Sequence, residues 1–150
     1  MSQTQFDIRF LLSQSQAGRG QIALGSFVEE FDSPLGFWMD ADYKRQWKEG
    51  TSRLLAGAAK SALVTAIYDP GNANFLMWWV MYRDDGEIVF RNHILLMEHL
   101  PRPLDLNDLY SFVPERDRNR DSEYPVSEWV VPLESIANFT IGRRRPARPY

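Results

Sequence analysis

The sequence predicts an α+β fold: a mainly antiparallel sheet of about five to six strands, with one major amphipathic helix packed on one face. Several segments alternate apolar and polar residues with the period of two that is typical of strands. Short polar turns join these segments, which favours antiparallel pairing, and one segment instead has helical spacing. The 150 residues suffice for one domain with a buried core. We expect residues 1–141 to form that single domain and residues 142–150 to be a basic, disordered tail.

The first third of the chain predicts a hairpin followed by the helix. A strand begins at Phe6, the polar and glycine-bearing stretch Ser13–Gly20 predicts a turn, and a second strand begins at Ile22 and runs toward a loop at Phe31–Trp38. The helix is predicted from Asp40, a candidate N-cap, to about Ala56, because its apolar residues recur at helical spacing and its charged residues occupy the other faces.

The middle of the chain predicts three strands. Ser61–Tyr68 is rich in β-branched residues, and Phe75–Tyr82 is apolar at nearly every position, as in a central strand that is covered on both faces. An Asp-Gly pair predicts a tight hairpin turn before a strand at Glu87–Met97.

The remainder predicts a long surface connection and a short terminal unit. Residues 101–125 contain four prolines and a charge run, with one helical turn expected near Asp105–Tyr110. Val126–Val131 predicts a last strand, and Pro132 suits the first turn of a short helix.

The composition excludes several classes of chemistry. The chain has no cysteine, so disulfides, thiolate nucleophiles and cysteine-based metal sites are excluded. Its two histidines, His93 and His99, lack metal-binding spacing, and no phosphate-binding glycine loop or nucleophile elbow occurs. The sequence therefore predicts no catalytic residues, no metal and no cofactor. The N-terminus lacks the pattern of a signal peptide and no apolar run is long enough to cross a bilayer, so we expect a cytoplasmic protein.

The charge is unevenly distributed along the chain. The last eight residues hold four arginines, and the rest of the chain has 13 basic against 20 acidic residues, a net charge of about −7. An acidic body disfavours nucleic acid as a partner and favours a basic one. Acidic residues cluster in three predicted loops: Glu29, Glu30 and Asp32; Asp84, Asp85 and Glu87; Asp117, Asp121 and Glu123.

Three segments together resemble a known family. They are FDSPLGFWMDADYKRQWKEGTSRLLAG, SALVTAIYDPGNANFLMWWVMYRDDGEIVFRNHILL and SEWVVPLESIANF, which span Phe31 to about Phe139. Their order and spacing resemble the immunity proteins of bacterial contact-dependent growth inhibition systems. The resemblance implies a cytoplasmic bacterial protein that binds and neutralises the C-terminal toxin domain, frequently a nuclease, of a cognate effector. It also implies that the shared motifs are scaffold and that the toxin-contacting surface varies between members.

The leading hypothesis is therefore a non-enzymatic toxin inhibitor. Its predicted toxin-binding residues are Asp84, Asp85 and Glu87 in the hairpin and Glu115, Asp117, Asp121 and Glu123 in the connection. Candidate aromatic anchors are Tyr110, Phe112 and Tyr124.

Two alternatives remain open from the residues alone. One is a small ligand-binding domain or enzyme with a pocket near Trp79, His93 and Tyr43. The other is a nucleic-acid-binding regulator that acts through the tail Arg143–Arg148.

Overall fold

A computed structural model describes residues 5–14, 16–116 and 126–142 of the chain. The strands are β1 (Phe6–Ser13), β2 (Ala17–Leu24), β3 (Phe27–Pro34), β4 (Lys60–Ile67), β5 (Phe75–Asp84), β6 (Glu87–Leu96) and β7 (Trp129–Pro132). The α-helices are α1 (Asp40–Leu55) and α2 (Leu133–Ile141), and short 3₁₀ helices occupy Met97–His99 and Leu106–Phe112. Apart from Gly142, the predicted basic tail lies outside the described residues.

All strand pairs are antiparallel, which confirms the predicted α+β class. The strands form two sheets, however, with the orders β1-β2-β3 and β4-β5-β6-β7. The described residues thus contain seven strands where we expected about five to six in one sheet. The additional strand arises in the N-terminal third, where β2 and β3 form a hairpin of their own.

The turn predicted at Ser13–Gly20 forms but is shorter than predicted. It is confined to the residues between Ser13 and Ala17, and two of the predicted turn glycines lie in β2. A Cβ atom at Gly20 would lie 2.3 Å from the ring of Phe31, and one at Gly18 would lie 2.8 Å from the ring of Phe10. Strand glycines therefore make room for aromatic rings that pack across the small sheet. The turn between β2 and β3 contains Gly25, whose φ of 69° lies in the left-handed region that favours glycine.

The small sheet and α2 pack on one face of the large sheet. Phe6 of β1 stacks on Phe90 of β6 with 5.4 Å between ring centroids, and Phe139 of α2 meets Phe6 edge-on at 5.0 Å. Phe27 at the start of β3 lies 4.5 Å from Trp129, measured between ring centroids. These aromatic pairs join the two sheets into one core.

The opposite face of the large sheet is covered by the connection after β6. Leu109, Phe112 and Val113 are buried there, and the Tyr82 hydroxyl donates a hydrogen bond of 2.7 Å to the Pro114 carbonyl. The segment that was predicted as a surface connection therefore forms a covering layer up to residue 116. Both faces of β5 are buried as a result, as predicted for a central strand.

Helix α1 closes the free edge of β4. Gln46 donates to the Ala62 carbonyl (2.8 Å) and accepts from the Val64 amide (2.7 Å). Trp47 Nε1 donates to the Val64 carbonyl (2.7 Å). The side chains of one helix face thereby satisfy backbone groups that a further strand would otherwise pair.

The same edge continues to the end of β4. The Tyr43 hydroxyl accepts a hydrogen bond from the Ile67 amide (3.2 Å) and donates one to the Pro34 carbonyl (2.7 Å). Gly50 lets the helix approach this closely, because a Cβ atom there would lie 2.3 Å from the Ala62 carbonyl oxygen. The helix thus begins and ends close to its predicted bounds, and it packs at the β4 side of the sheet.

Candidate functional site

The predicted acidic hairpin forms as expected at the tip of β5 and β6. Asp84 pairs with Glu87, and Asp85 lies between them with a φ of 54°, followed by Gly86. All four residues are exposed. The tip therefore presents three carboxylates on a short turn.

An arginine links this hairpin to the connection. Arg116 makes two hydrogen bonds to the Glu128 carboxylate, of 3.1 Å from Nε and 3.0 Å from Nη2, and its Nη1 lies 3.3 Å from Asp84 Oδ2. Arg91 Nε donates to the same Glu128 carboxylate at 2.8 Å. The hydrogen bond from Arg116, aided by Arg91, lowers the pKa of Glu128. The Asp84 charge is thus balanced within the protein.

The structure places Glu115 beside this network. Its carboxylate lies 2.8 Å from Lys60 Nζ, while its side chain is 91% exposed. The hairpin and Glu115 therefore lie close together, because Arg116 contacts Asp84. We call the surface formed by Asp84, Asp85, Glu87 and Glu115 the acidic rim. Asp117, Asp121 and Glu123 lie outside the described residues, and so does Tyr124. Within the described part of the chain, Asp85 and Glu87 are the members of the predicted set that make no ion pair.

The acidic cluster on β3 belongs to the other sheet. Arg19 on the neighbouring strand lies 3.4 Å from Glu30 and 3.3 Å from Asp32, measured between side-chain nitrogen and oxygen. All of these side chains are at least half exposed, so the pairs contribute little to stability. Two of the three carboxylates in this cluster, those of Glu30 and Asp32, therefore share one arginine within the protein.

The alternative pocket near Trp79 and His93 does not form. Trp79 lies opposite Asn92, so its side chain and that of His93 point to opposite faces of the sheet. The Trp78 indole donates to His93 Nδ1 at 2.8 Å, and burial lowers the pKa of His93. The Tyr43 hydroxyl is occupied at the β4 edge. Each of these side chains has a structural partner.

Two of the predicted aromatic anchors, Tyr110 and Phe112, already make contacts within the fold. Phe112 is buried. The Tyr110 hydroxyl donates to Glu49 (2.8 Å) and accepts from Gln46 (3.2 Å), and burial raises the pKa of Tyr110. Neither side chain is free to enter a partner's pocket without breaking internal contacts.

Open grooves lie at the end of the large sheet that is remote from the acidic hairpin. One, of about 650 Å³, is lined by Pro34, Phe37 and Tyr68 among others, and a neighbouring one of about 490 Å³ continues from Tyr68 to Phe75. In residues 5–14, 16–116 and 126–142, no group of three or more metal-ligating side chains is assembled. No helix in these ranges has the length and apolar character needed to span a bilayer.

Comparison with known proteins identifies the family. Residues 33–139 match the family model described as the CdiI N-terminal domain. The chain belongs to this family. A curated relative, the immunity protein CdiI of Enterobacter cloacae, is 29% identical over 120 residues, which cover 79% of this chain and 81% of that protein. A solved structure of a CdiA-CT/CdiI toxin and immunity complex from the same species matches with a TM-score of 0.75 at 25% identity, covering 91% of this chain and 97% of that one.

The segment DYKRQW of α1 lies within the residues that match the family model. It supplies Tyr43, Gln46 and Trp47, which close the β4 edge. These residues are buried and saturated with internal hydrogen bonds, so they are structural. The Arg91–Glu128–Arg116 network has no local signal in the sequence, because its charged residues lie 12 and 37 positions apart.

Proposed function

We propose that this chain is an immunity protein that binds and neutralises the C-terminal toxin domain of a cognate contact-dependent growth inhibition effector. The family match over residues 33–139 carries this proposal. It is supported by a structural neighbour, solved as a toxin–immunity complex, that covers almost the whole chain. The protein acts in the bacterial cytoplasm, where it meets toxin that would otherwise inhibit its own cell.

The toxin in this proposal is a nuclease. Nucleases present basic surfaces to their substrates, and the body of this chain has a net charge of about −7 outside its last eight residues. An anionic protein surface attracts such an enzyme and competes electrostatically with the phosphate backbone. The chain itself is not an enzyme and inhibits by occupying the toxin's surface.

The contact surface in this proposal is the acidic rim. Asp85 and Glu87 have no ion pair within the described residues, so their charges are available to a cationic partner. Asp84 and Glu115 flank them, with Asp117, Asp121 and Glu123 following in sequence. Charged groups of this kind accelerate association more than they strengthen the bound state.

The function is tested with the purified chain and the toxin domain encoded beside its gene. We expect a tight stoichiometric complex, loss of the toxin's nucleic-acid cleavage on complex formation, and protection of cells that express the toxin domain. Failure of the unaltered chain to bind would refute the proposed function. Binding to a toxin that cleaves no nucleic acid would refute the nuclease assignment alone.

The rim is tested by the double substitution Asp85→Lys with Glu87→Lys. We expect the association rate at low salt to fall by about tenfold or more, because electrostatic steering is removed. The association rates measured at low and at high salt should also become more similar. The control is Glu30→Lys on β3, an exposed acid on the other sheet. Equal association rates for both variants and the unaltered chain would show that the partner binds elsewhere.

A further inference from the structure

Two strand edges in this protein, those of β3 and β4, are protected against pairing with another chain. The β4 edge is closed by Tyr43, Gln46 and Trp47 of α1. The β3 edge carries Glu29, Glu30 and Asp32, and edge charges of this kind oppose the addition of a strand. Within residues 5–14, 16–116 and 126–142, the second half of β6 has neither form of protection.

Strand β7 covers only the first half of β6. The pairing runs from Glu87 opposite Pro132 to Phe90 opposite Trp129 and stops there. On its other side β6 pairs with β5 as far as Leu96. Between residues 91 and 96, β6 is therefore an edge strand within the described part of the chain.

The hydrogen-bonding direction of each residue in β6 follows from the hairpin. Because Asp84 and Glu87 flank a two-residue turn, odd-numbered residues of β6 bond to β5 and even-numbered residues point the other way. Two observed bonds confirm this alternation: the Met97 amide donates to Asn74 on the β5 side (2.7 Å), and the Leu133 amide donates to Gly86 on the β7 side (2.8 Å). The amides and carbonyls of Asn92, Ile94 and Leu96 therefore face the open edge.

The side chains of the same three residues form an uncharged strip. Ile94 is 51% exposed, Leu96 is 38% exposed, and Asn92 is exposed as well. Pairing across to β5 places Met77 beside Ile94 and Phe75 beside Leu96, and both are half-buried. This uncharged strip thus borders a row of backbone groups that have no strand partner among the described residues.

We propose that Asn92–Leu96 receives an extended segment of the toxin domain as an additional strand of the large sheet. An extended polypeptide supplies donors and acceptors at the spacing that the open edge presents, and its alternate side chains cover the strip at Ile94 and Leu96. This inference rests on the proposed function. Ile94 lies seven residues, roughly 23 Å, along β6 from Glu87, so one interface of ordinary size spans both the rim and the edge.

The contribution of backbone hydrogen bonds to toxin binding is tested by Ile94→Pro. This substitution removes an amide that points away from β5 and leaves the pairing with β5 intact. Ile94→Ala keeps the amide and removes the side chain. We expect Ile94→Pro to weaken binding of the purified toxin domain by about tenfold or more, and beyond the effect of Ile94→Ala. Circular dichroism and a thermal melt establish that each variant is folded.

A second variant covers the case in which the proline variant does not fold. Ile94→Glu adds a negative charge, which would favour a cationic toxin if charge alone mattered, but it obstructs an added strand. We expect it to weaken binding, whereas Val28→Glu, at a position 52% exposed on the protected β3 edge, should not. Amide hydrogen exchange should also slow at residues 92, 94 and 96 when the toxin domain binds.

The outcomes separate the two proposals. If the unaltered chain binds the toxin domain, but the Ile94 variants bind equally well and exchange at these amides is unchanged, the strand-addition inference is wrong and the immunity function stands. If the unaltered chain does not bind, the proposed function fails and this inference fails with it.

Discussion

Replacing Gln46 by methionine tests whether α1 stabilises the protein by closing the β4 edge. Methionine keeps the approximate volume and the helix propensity of glutamine but has no amide. Gln46 is only 6% exposed and serves two β4 backbone groups, the Ala62 carbonyl and the Val64 amide. The substitution leaves both groups buried without their partner.

The expected loss follows from the cost of unsatisfied buried polar groups. Each such group costs about 1–3 kcal/mol, so the variant, with two of them, should lose about 2–6 kcal/mol of unfolding free energy. This is a large part of a typical total of about 5–15 kcal/mol. For a chain of this size it corresponds to a fall in Tm of roughly 4–24 °C.

Urea unfolding followed by tryptophan fluorescence measures the effect, since Trp47 and Trp78 are buried. The matched control is Lys48→Met on the exposed side of the same helix, which should change the unfolding free energy by less than about 0.5 kcal/mol. A loss below about 1 kcal/mol for Gln46→Met, or one equal to the control, would contradict the edge-closing role.

Three further predictions concern packing and pH. Gly50→Ala should lower the unfolding free energy by about 1–3 kcal/mol, because the added methyl group meets the Ala62 carbonyl. Gly36→Ala, with open space at its Cβ position, should be tolerated. Equal melting temperatures for the two variants would refute this prediction. Because burial lowers the pKa of His93, the folded protein resists its protonation, so stability is fully present above pH ~6.5 and is lost as the pH falls below that value. His93→Gln should remove the fall in Tm between pH 7.5 and 5.5, whereas His99→Gln should preserve it. If His99→Gln removed the fall and His93→Gln preserved it, the pH dependence could not be assigned to His93. Because Arg116 lowers the pKa of Glu128, the stability from this pair is present above the ordinary glutamate pKa and lost as the pH falls through the folded value. Glu128→Gln should therefore destabilise the protein at neutral pH and destabilise it less as the pH falls below the ordinary glutamate pKa. A difference in urea midpoint that stays constant as the pH is lowered would disprove the linkage.

The sequence alone determined the features that depend on neighbours along the chain. Helix α1, the Asp-Gly hairpin and the apolar character of β5 follow from periodicity and turn chemistry, which act over a few residues. The family could also be recognised from the sequence, because the order and spacing of the three segments are sequence properties. The match to the family model over residues 33–139 agrees with the resemblance from Phe31 to about Phe139. The acidic hairpin was placed correctly for the same local reason.

Only the tertiary structure decided what each local feature does. Gly18 and Gly20 carry the local signal of a turn, yet they lie in a strand because the rings of Phe10 and Phe31 occupy the space of a Cβ atom. Gln46 looks like a polar residue on a helix surface until β4 is placed beside it. Among the described residues, the second half of β6 is open because its pairing with β7 stops at Trp129. Strand pairing between distant segments depends on register and packing that no local pattern encodes.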